Sequence, residues 1–352
     1  MSHSREENLR RLREEAYVIA PGQKFEVDYF RPEDAIGVAR LYYAIYGEIF
    51  PVDHVYDPEE LVRINQGDDL FQVVGRTPGG DIVGLYALFR SAPGRRIMEA
   101  GSWMVHPDYR NTSVGLRMVR QIHNNPPEHL GLNAIYGQSV CDILTTQKLA
   151  RVVSGHHCAL EIEPMPPRPG EAGAYGRISL LDGLVLMGDR PDEIYLPEQY
   201  DAQLRGIYKD LELERTFVRD MAGAEGLAAS GPVEYSVQAF GESDVAKMEV
   251  STLGSDLAER IAEMERDYPG RHAYQLVLPL WLPGSSTAVA AAKKQGYFFG
   301  GLLPLWFDRD ALLMQKVAGS PDLSKPLLLT DMAKAIMQMI ESDLRTLPSA
   351  AS

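Results

Sequence analysis

A chain of 352 residues with 45% hydrophobic and 24% charged residues has a globular composition, and its length exceeds what one compact core usually supports, so two domains are expected. The formal net charge of −14 repels polyanions at long range and excludes general nucleic-acid binding, which needs clustered Lys and Arg. The two cysteines, Cys141 and Cys158, lack the spacing of a zinc or redox motif, and neither an apolar leader nor a membrane-spanning run occurs, so a cytoplasmic protein without metal or membrane contact is expected.

Ser4 and Glu7 have the spacing of a capping box, and Leu9, Leu12 and Ala16 then share one face of a short helix, read as a docking arm over residues 1–22. A strand is predicted over Phe25–Phe30, a helix from Arg31-Pro32-Glu33-Asp34 to about Tyr46, and a second helix from Asp57-Pro58-Glu59-Glu60. Apolar runs Leu70–Val74 and Ile82–Phe89 flank Pro78-Gly79-Gly80-Asp81 as a hairpin, and Ile97–Val105 continues the meander. The pattern then alternates: a helix over Val114–Asn124, a strand over Asn133–Val140, a helix over Ile143–Val153 and a strand over Cys158–Ile162. An alternating tail on an antiparallel meander gives an α/β fold of the α+β kind, a mixed, mostly antiparallel sheet flanked by helices.

Pro and Gly crowd residues 164–172 and place a domain boundary at 165/166. Beyond it we expect strands at Gly176–Met187, Arg215–Asp220 and Val233–Phe240, with a helix at about Pro197–Leu211. The earlier order then returns: strand Val245–Ser251, helix Ser255–Asp267, strand Tyr274–Leu280, helix Ser286–Gln295, and the pair Tyr297–Leu303 and Ala311–Val317. A last helix, 327–345, shows helical spacing of Leu329, Met332, Ile336, Met339 and Ile340 and lies in a tail over 319–352.

The segment with chemistry runs from Val105-His106-Pro107-Asp108-Tyr109-Arg110 through Asn111-Thr112-Ser113-Val114-Gly115-Leu116 into a helix. A loop of small residues entering a helix exposes unpaired backbone N–H groups suited to a pyrophosphate. Here the sequence resembles the GNAT superfamily of N-acyltransferases, whose signature of Arg or Gln, two residues, Gly, one residue, then Gly or Ala maps onto Arg110, Ser113 and Gly115, with Ser113 in place of the first glycine. The resemblance covers the order of elements over 25–163. It implies a GNAT domain over 23–165 in which Met104 and Val105 offer backbone groups to the pantetheine of acyl-CoA and Arg110, Asn111, Thr112, Ser113, Val114, Gly115 and Leu116 hold its pyrophosphate. It further implies N-acyl transfer, with Glu99 as the base. The Tyr that protonates the thiolate in many members is replaced by Arg151, which leaves Tyr136, His156, His157 or Cys158 as substitutes, Tyr136 first.

Residues 166–318 match the family's order of elements but not its loop, since Val250-Ser251-Thr252-Leu253-Gly254-Ser255-Asp256 has no Arg at the proper spacing. Lys293–Phe299 does resemble the family's helix-to-strand ending, so two GNAT-like domains in tandem are expected, the second with a degenerate loop. The function implied is transfer of an acetyl or other short acyl group from acetyl-CoA, or another acyl-CoA, to a small-molecule or amino-acid-like amine, by a monomer or homodimer. The alternatives are a non-catalytic acyl-CoA sensor or scaffold and an aminoacyl-tRNA-dependent transferase, against which the net charge of −14 counts.

Overall fold

The structure is a computed structural model that describes residues 4–50, 52–126, 128–167, 176–220, 231–241 and 243–347. Its contacts divide the chain into two compact units, Met1–Ser91 with Met98–Ile135, and Ala92–Ile97 with Tyr136–Ser352.

In the first unit α1 (Arg5–Glu15) starts on the expected capping box, with Ser4 N donating to the Glu7 carboxylate at 3.0 Å and Glu7 N to Ser4 Oγ at 3.3 Å. Its Leu9 and Leu12 are buried, and Arg5 donates to Asp53 at 2.6 Å and to the carbonyl of Phe50 at 2.7 Å, so the arm is docked by both apolar and ionic contacts. There follow β1 (Glu26–Tyr29), α2 (Ala35–Tyr46) and α3 (Pro58–Ile64), the last capped by the Asp57 carboxylate on the N–H groups of Glu59 and Glu60. The meander β2 (Leu70–Arg76), β3 (Ile82–Phe89) and β4 (Ile97–Val105) is antiparallel, in the order β1-β2-β3-β4. Val38, Leu41 and Tyr42 of α2 fill one core with Leu85 and Met104 of the sheet, and α4 (Val114–Asn124) packs on its strands.

β5 (Ala134–Val140) starts in the first unit and ends in the second, where α5 (Thr145–Val152), β6 (His156–Met165) and β7 (Ile178–Leu186) follow. Next come β8 (Asp192–Pro197), α6 (Asp201–Asp210) and β9 (Arg215–Asp220), with β8 and β9 forming a separate parallel pair. The remaining elements are β10 (Glu234–Phe240), β11 (Val245–Thr252), α7 (Leu257–Asp267), β12 (Ala273–Pro279), α8 (Ser285–Lys294), β13 (Phe298–Leu303), β14 (Ala311–Val317) and α9 (Asp331–Leu344). The sheet of this unit runs β5-β7-β6-β13-β14-β12-β11-β10, with β11 and β12 parallel. Strand, helix, strand, helix and hairpin therefore occur twice in the chain, as β4-α4-β5-α5-β6-β7 and as β11-α7-β12-α8-β13-β14, and the order β5-β7-β6 recurs as β12-β14-β13.

Three expectations differ from the fold. The boundary expected at 165/166 falls between partners, because β6 and β7 form an antiparallel hairpin; part of the Pro/Gly stretch thought to mark it, 168–172, lies outside the described residues. β8 was not expected, and α6 starts at Asp201 rather than near Pro197, since Ile194 and Leu196 alternate into the core as a strand. α9 starts at Asp331 rather than 327: Thr330 caps it by accepting from Ala333 N, and the Leu329 N–H is held by Gln147 Oε1 at 2.9 Å.

α9 is fastened to the second unit at two points. Asp343 is buried and accepts from Tyr200 Oη at 2.7 Å, from Phe299 N at 2.8 Å and from the Lys293 ammonium. At the other end Thr330 Oγ1 lies 2.8 Å from His157 Nδ1. Burial lowers the His157 pKa to about 4, and its Nε2 has no partner among the described residues. The unfolded chain therefore protonates this histidine first as pH falls, so stability present above the ordinary value of 6.5 is lost towards pH 4. The full loss is about 3 kcal/mol. His157→Gln, neutral at every pH, is expected to flatten the fall of the denaturation midpoint between pH 6.5 and 4; a slope equal to wild type in chemical denaturation would contradict this account.

Candidate functional site

β4 departs from a regular strand where the expected site begins. Leu85 faces Met104 and Ala87 faces Gly101, so Ser102 and Trp103 together oppose Tyr86, and Ser102 has φ 51°, a β-bulge built on a left-handed residue. Burial pushes the hydroxyl of Tyr42 on α2 up to about 12, with Ser102 acting in the opposite direction. Met104 is buried in the core, whereas Val105 is half-buried, and His106 N continues the ladder to Val83 O at 2.9 Å.

A 3₁₀ turn over Pro107–Tyr109 carries the chain from β4 to α4. Tyr109 anchors it: its hydroxyl donates to Ala20 O at 2.6 Å and accepts from Gln23 N at 3.2 Å, so the segment after α1 braces the loop. Within the loop, Tyr109 N donates to His106 O, Thr112 N to Tyr109 O, and Val114 N to Thr112 Oγ1. An α-helix leaves its first N–H groups without intrahelical acceptors, which applies here to Gly115 and Leu116 in the first turn of α4. Arg110, Asn111, Thr112 and Ser113 are exposed, Val114 and Gly115 buried, and Leu116 half-buried.

The two signature positions play different parts. Ser113 sits at φ −79° and ψ 0°, an ordinary conformation for any L-residue, so serine costs nothing in the backbone. Gly115 is required by packing. A Cβ there would lie 2.9 Å from Trp103 Cζ2 and 3.4 Å from Val105 Cγ2. Gly75 and Gly84 do the same from the sheet, where an added Cβ would meet Val114 Cγ2 at 2.4 Å and Met118 Cε at 2.8 Å. These close approaches set where the N-terminus of α4 stands relative to the bulge.

Glu99 is half-buried on β4, opposite Phe89, and accepts from Ser91 Oγ at 2.6 Å. Neither Ser91 nor the bulge at Ser102 was anticipated, and no spacing in the sequence signals them. Gly75 and Gly84 could have been: glycine inside a strand marks a close backbone approach. A second unanticipated pair joins β3 to α4, Tyr86 Oη lying 3.3 Å from His123 Nε2. Burial lowers His123 to about 4 and raises Tyr86, so both are neutral near pH 7.

Tyr136 belongs to the second unit. It is buried on β5, its ring meeting Trp306 edge-on at 5.2 Å, and it lines a small cleft with Cys158, Asp182 and Leu303. Of the other substitutes, Cys158 is buried with its thiol pushed well up by desolvation, His157 is locked to Thr330, and His156 lies 3.5 Å from Asp210.

The loop between β11 and α7, expected as a degenerate copy, is closed by the chain itself. A Cβ on Gly254 would lie 2.2 Å from Val233 N and 2.6 Å from the carbonyl carbon of Pro232. The Asp256 carboxylate, at the N-terminus of α7, accepts from Val233 N at 2.8 Å and from Arg260 Nε at 3.0 Å. These contacts hold its pKa below the usual carboxylate range and set a negative charge at the start of α7.

Gly115→Leu is expected to displace Trp103 and the first turn of α4 and to weaken acetyl-CoA binding at least tenfold by calorimetry, whereas Ser113→Gly changes it less than threefold. Unaltered affinity in Gly115→Leu would remove α4 from the site.

Among the described residues, no group of His, Cys, Asp and Glu is placed to hold a metal ion, and no helix is long and apolar enough to cross a membrane. No family model and no curated protein matches the chain. It is similar to solved structures of N-acetyltransferases. The ribosomal-protein-S18-alanine N-acetyltransferase from Escherichia coli is 11% identical over 49% of this chain and 100% of that one, with a TM-score of 0.37. A spermidine N-acetyltransferase from Vibrio cholerae in complex with CoA and spermine is 14% identical over 46% and 95%, with a TM-score of 0.36. An acetyltransferase of the GNAT family from Streptococcus pneumoniae is 13% identical over 47% and 100%, with a TM-score of 0.39. At these values the likeness carries no role from those enzymes to any residue here.

Proposed function

We propose that the chain is an acyl-CoA-dependent N-acyltransferase of the GNAT kind, moving an acetyl or other short acyl group to the amine of a small-molecule or amino-acid-like acceptor. The observation that carries the reading is the bulged β4 leading through a short turn into α4, whose Gly115 and Leu116 N–H groups are left open by helix geometry beside exposed Arg110. Backbone donors and a guanidinium are what a diphosphate requires, and Gly115 lets them stand against Trp103.

In the proposed reaction a neutral amine attacks the thioester carbonyl, the C–N bond forms, and the C–S bond breaks to release the thiolate. Glu99 takes the proton that the attacking nitrogen sheds, oriented by the Ser91 hydroxyl. Tyr136 is carried as the proposed donor of the thiolate's proton on chemistry alone, since a phenol can give one and the buried Cys158 thiol holds its own. The second β-α-β-α-β-β series is proposed as a degenerate copy that binds no acyl-CoA, supported by the closure of its loop by Val233 and Asp256.

Acetyl-CoA with a panel of polyamines, amino acids and aminoglycosides is expected to give thiol release with at least one class. Glu99→Gln is expected to lower kcat/KM about 100-fold while leaving the affinity for acetyl-CoA within threefold. Binding without release for every amine would instead favour a sensor. Native mass spectrometry is expected to count one acetyl-CoA per chain; two would reopen the second loop.

A further inference from the structure

The sheet of the second unit ends at β10, which among the described residues pairs with β11 alone. Six of its seven residues are exposed and only Val237 is half-buried, so among the described residues neither face is covered. Its register shows what is left open. Tyr235, Val237 and Ala239 lie opposite Val250, Met248 and Ala246 of β11, all three of them fully buried. The apolar face of the core thus continues one strand beyond the elements that cover it, onto Tyr235 at 38% exposure.

Edge strands are normally guarded by Lys, by Pro or by a covering element. The run Glu234-Tyr235-Ser236-Val237-Gln238-Ala239-Phe240 has neither residue, and its one charge stands at its end. The chain's own repeat shows what an edge in this place can accept. β10 precedes β11 as β3 precedes β4, and β3 carries β2 on its outer edge over seven residues.

The geometry points to a second copy of this chain as the occupant, β10 pairing antiparallel with β10 of the partner about a two-fold axis through Val237. This is independent of the catalytic reading. In that register Val237 meets its own copy, Tyr235 meets Ala239, Ser236 meets Gln238 and Glu234 meets Phe240. No like charges oppose, the small Ala239 leaves room for the Tyr235 ring, and the apolar row of each copy continues across the join. Such a contact is isologous, so it closes at two copies and leaves no β10 edge free for further addition.

The test uses the full chain. Sedimentation velocity between 1 and 100 µM is expected to show a monomer–dimer equilibrium in wild type. Val237→Lys, which sets two ammonium groups directly opposite, is expected to weaken it at least tenfold, whereas Val237→Thr keeps it. Opposed residues in an antiparallel pair have Cα atoms about 4.5–5.5 Å apart, within disulfide range, so Val237→Cys is expected to cross-link on oxidation. Cys141 and Cys158 are buried and give no background. A monomer at every concentration overturns the proposal, and so does a dimer that survives Val237→Lys. Should that variant fail to fold, the cysteine variant decides: a covalent dimer sustains the pairing and an oxidised monomer overturns it.

Discussion

The close approach of α4 to the strands of the first unit is the constraint on which the candidate site depends. Three glycines from three segments, Gly75, Gly84 and Gly115, remove the Cβ atoms that would otherwise hold the helix off. An L-residue at any of them would meet Val114, Met118 or Trp103 at 2.4 to 2.9 Å, well inside contact distance. Interiors packed to crystal density respond to such an addition by shifting whole elements. The helix N-terminus, the loop braced by Tyr109 and the bulge at Ser102 are therefore fixed by a packing requirement before any ligand is considered.

The second series of elements shows what the same order does when that end of the helix is used otherwise. β11 runs into α7 through residues 253–256, a shorter link than the 106–113 segment between β4 and α4, and Asp256 in it is held by Val233 and Arg260. The Asp256 carboxylate caps none of the N–H groups of α7, but its negative charge at the start of that helix repels a diphosphate. The two series share an order of elements and differ in the residues at this position.

Much of this was legible in the sequence because it rests on local rules. The capping box at Ser4, the Asp57 cap, the Pro78–Asp81 turn and the passage from β4 into α4 each follow from short-range chemistry, and each stands where it was expected. What escaped depends on partners far along the chain. β8 alternates Ile194 and Leu196 inward, but Pro197 just before a helix reads as that helix's start. Leu329 fits helical spacing, and yet its N–H is claimed by Gln147 across 182 residues. The left-handed Ser102 has no local signature, since only the pairing of β3 with β4 reveals the extra residue. Glu99 and the loop, proposed as site residues, are offered by the sequence, whereas the neighbours Ser91 and Trp103 and the Tyr86–His123 pair are seen only once folded.

The buried carboxylate of Asp343 also bears on how the polypeptide matures. It gathers Tyr200, Lys293 and Phe299, groups made 143, 50 and 44 residues earlier. During synthesis at roughly 5–20 residues per second those donors wait seconds for their acceptor. Nascent chains must then hold an incomplete second unit, with its ammonium and phenol uncompensated, until the final helix clears the ribosomal tunnel.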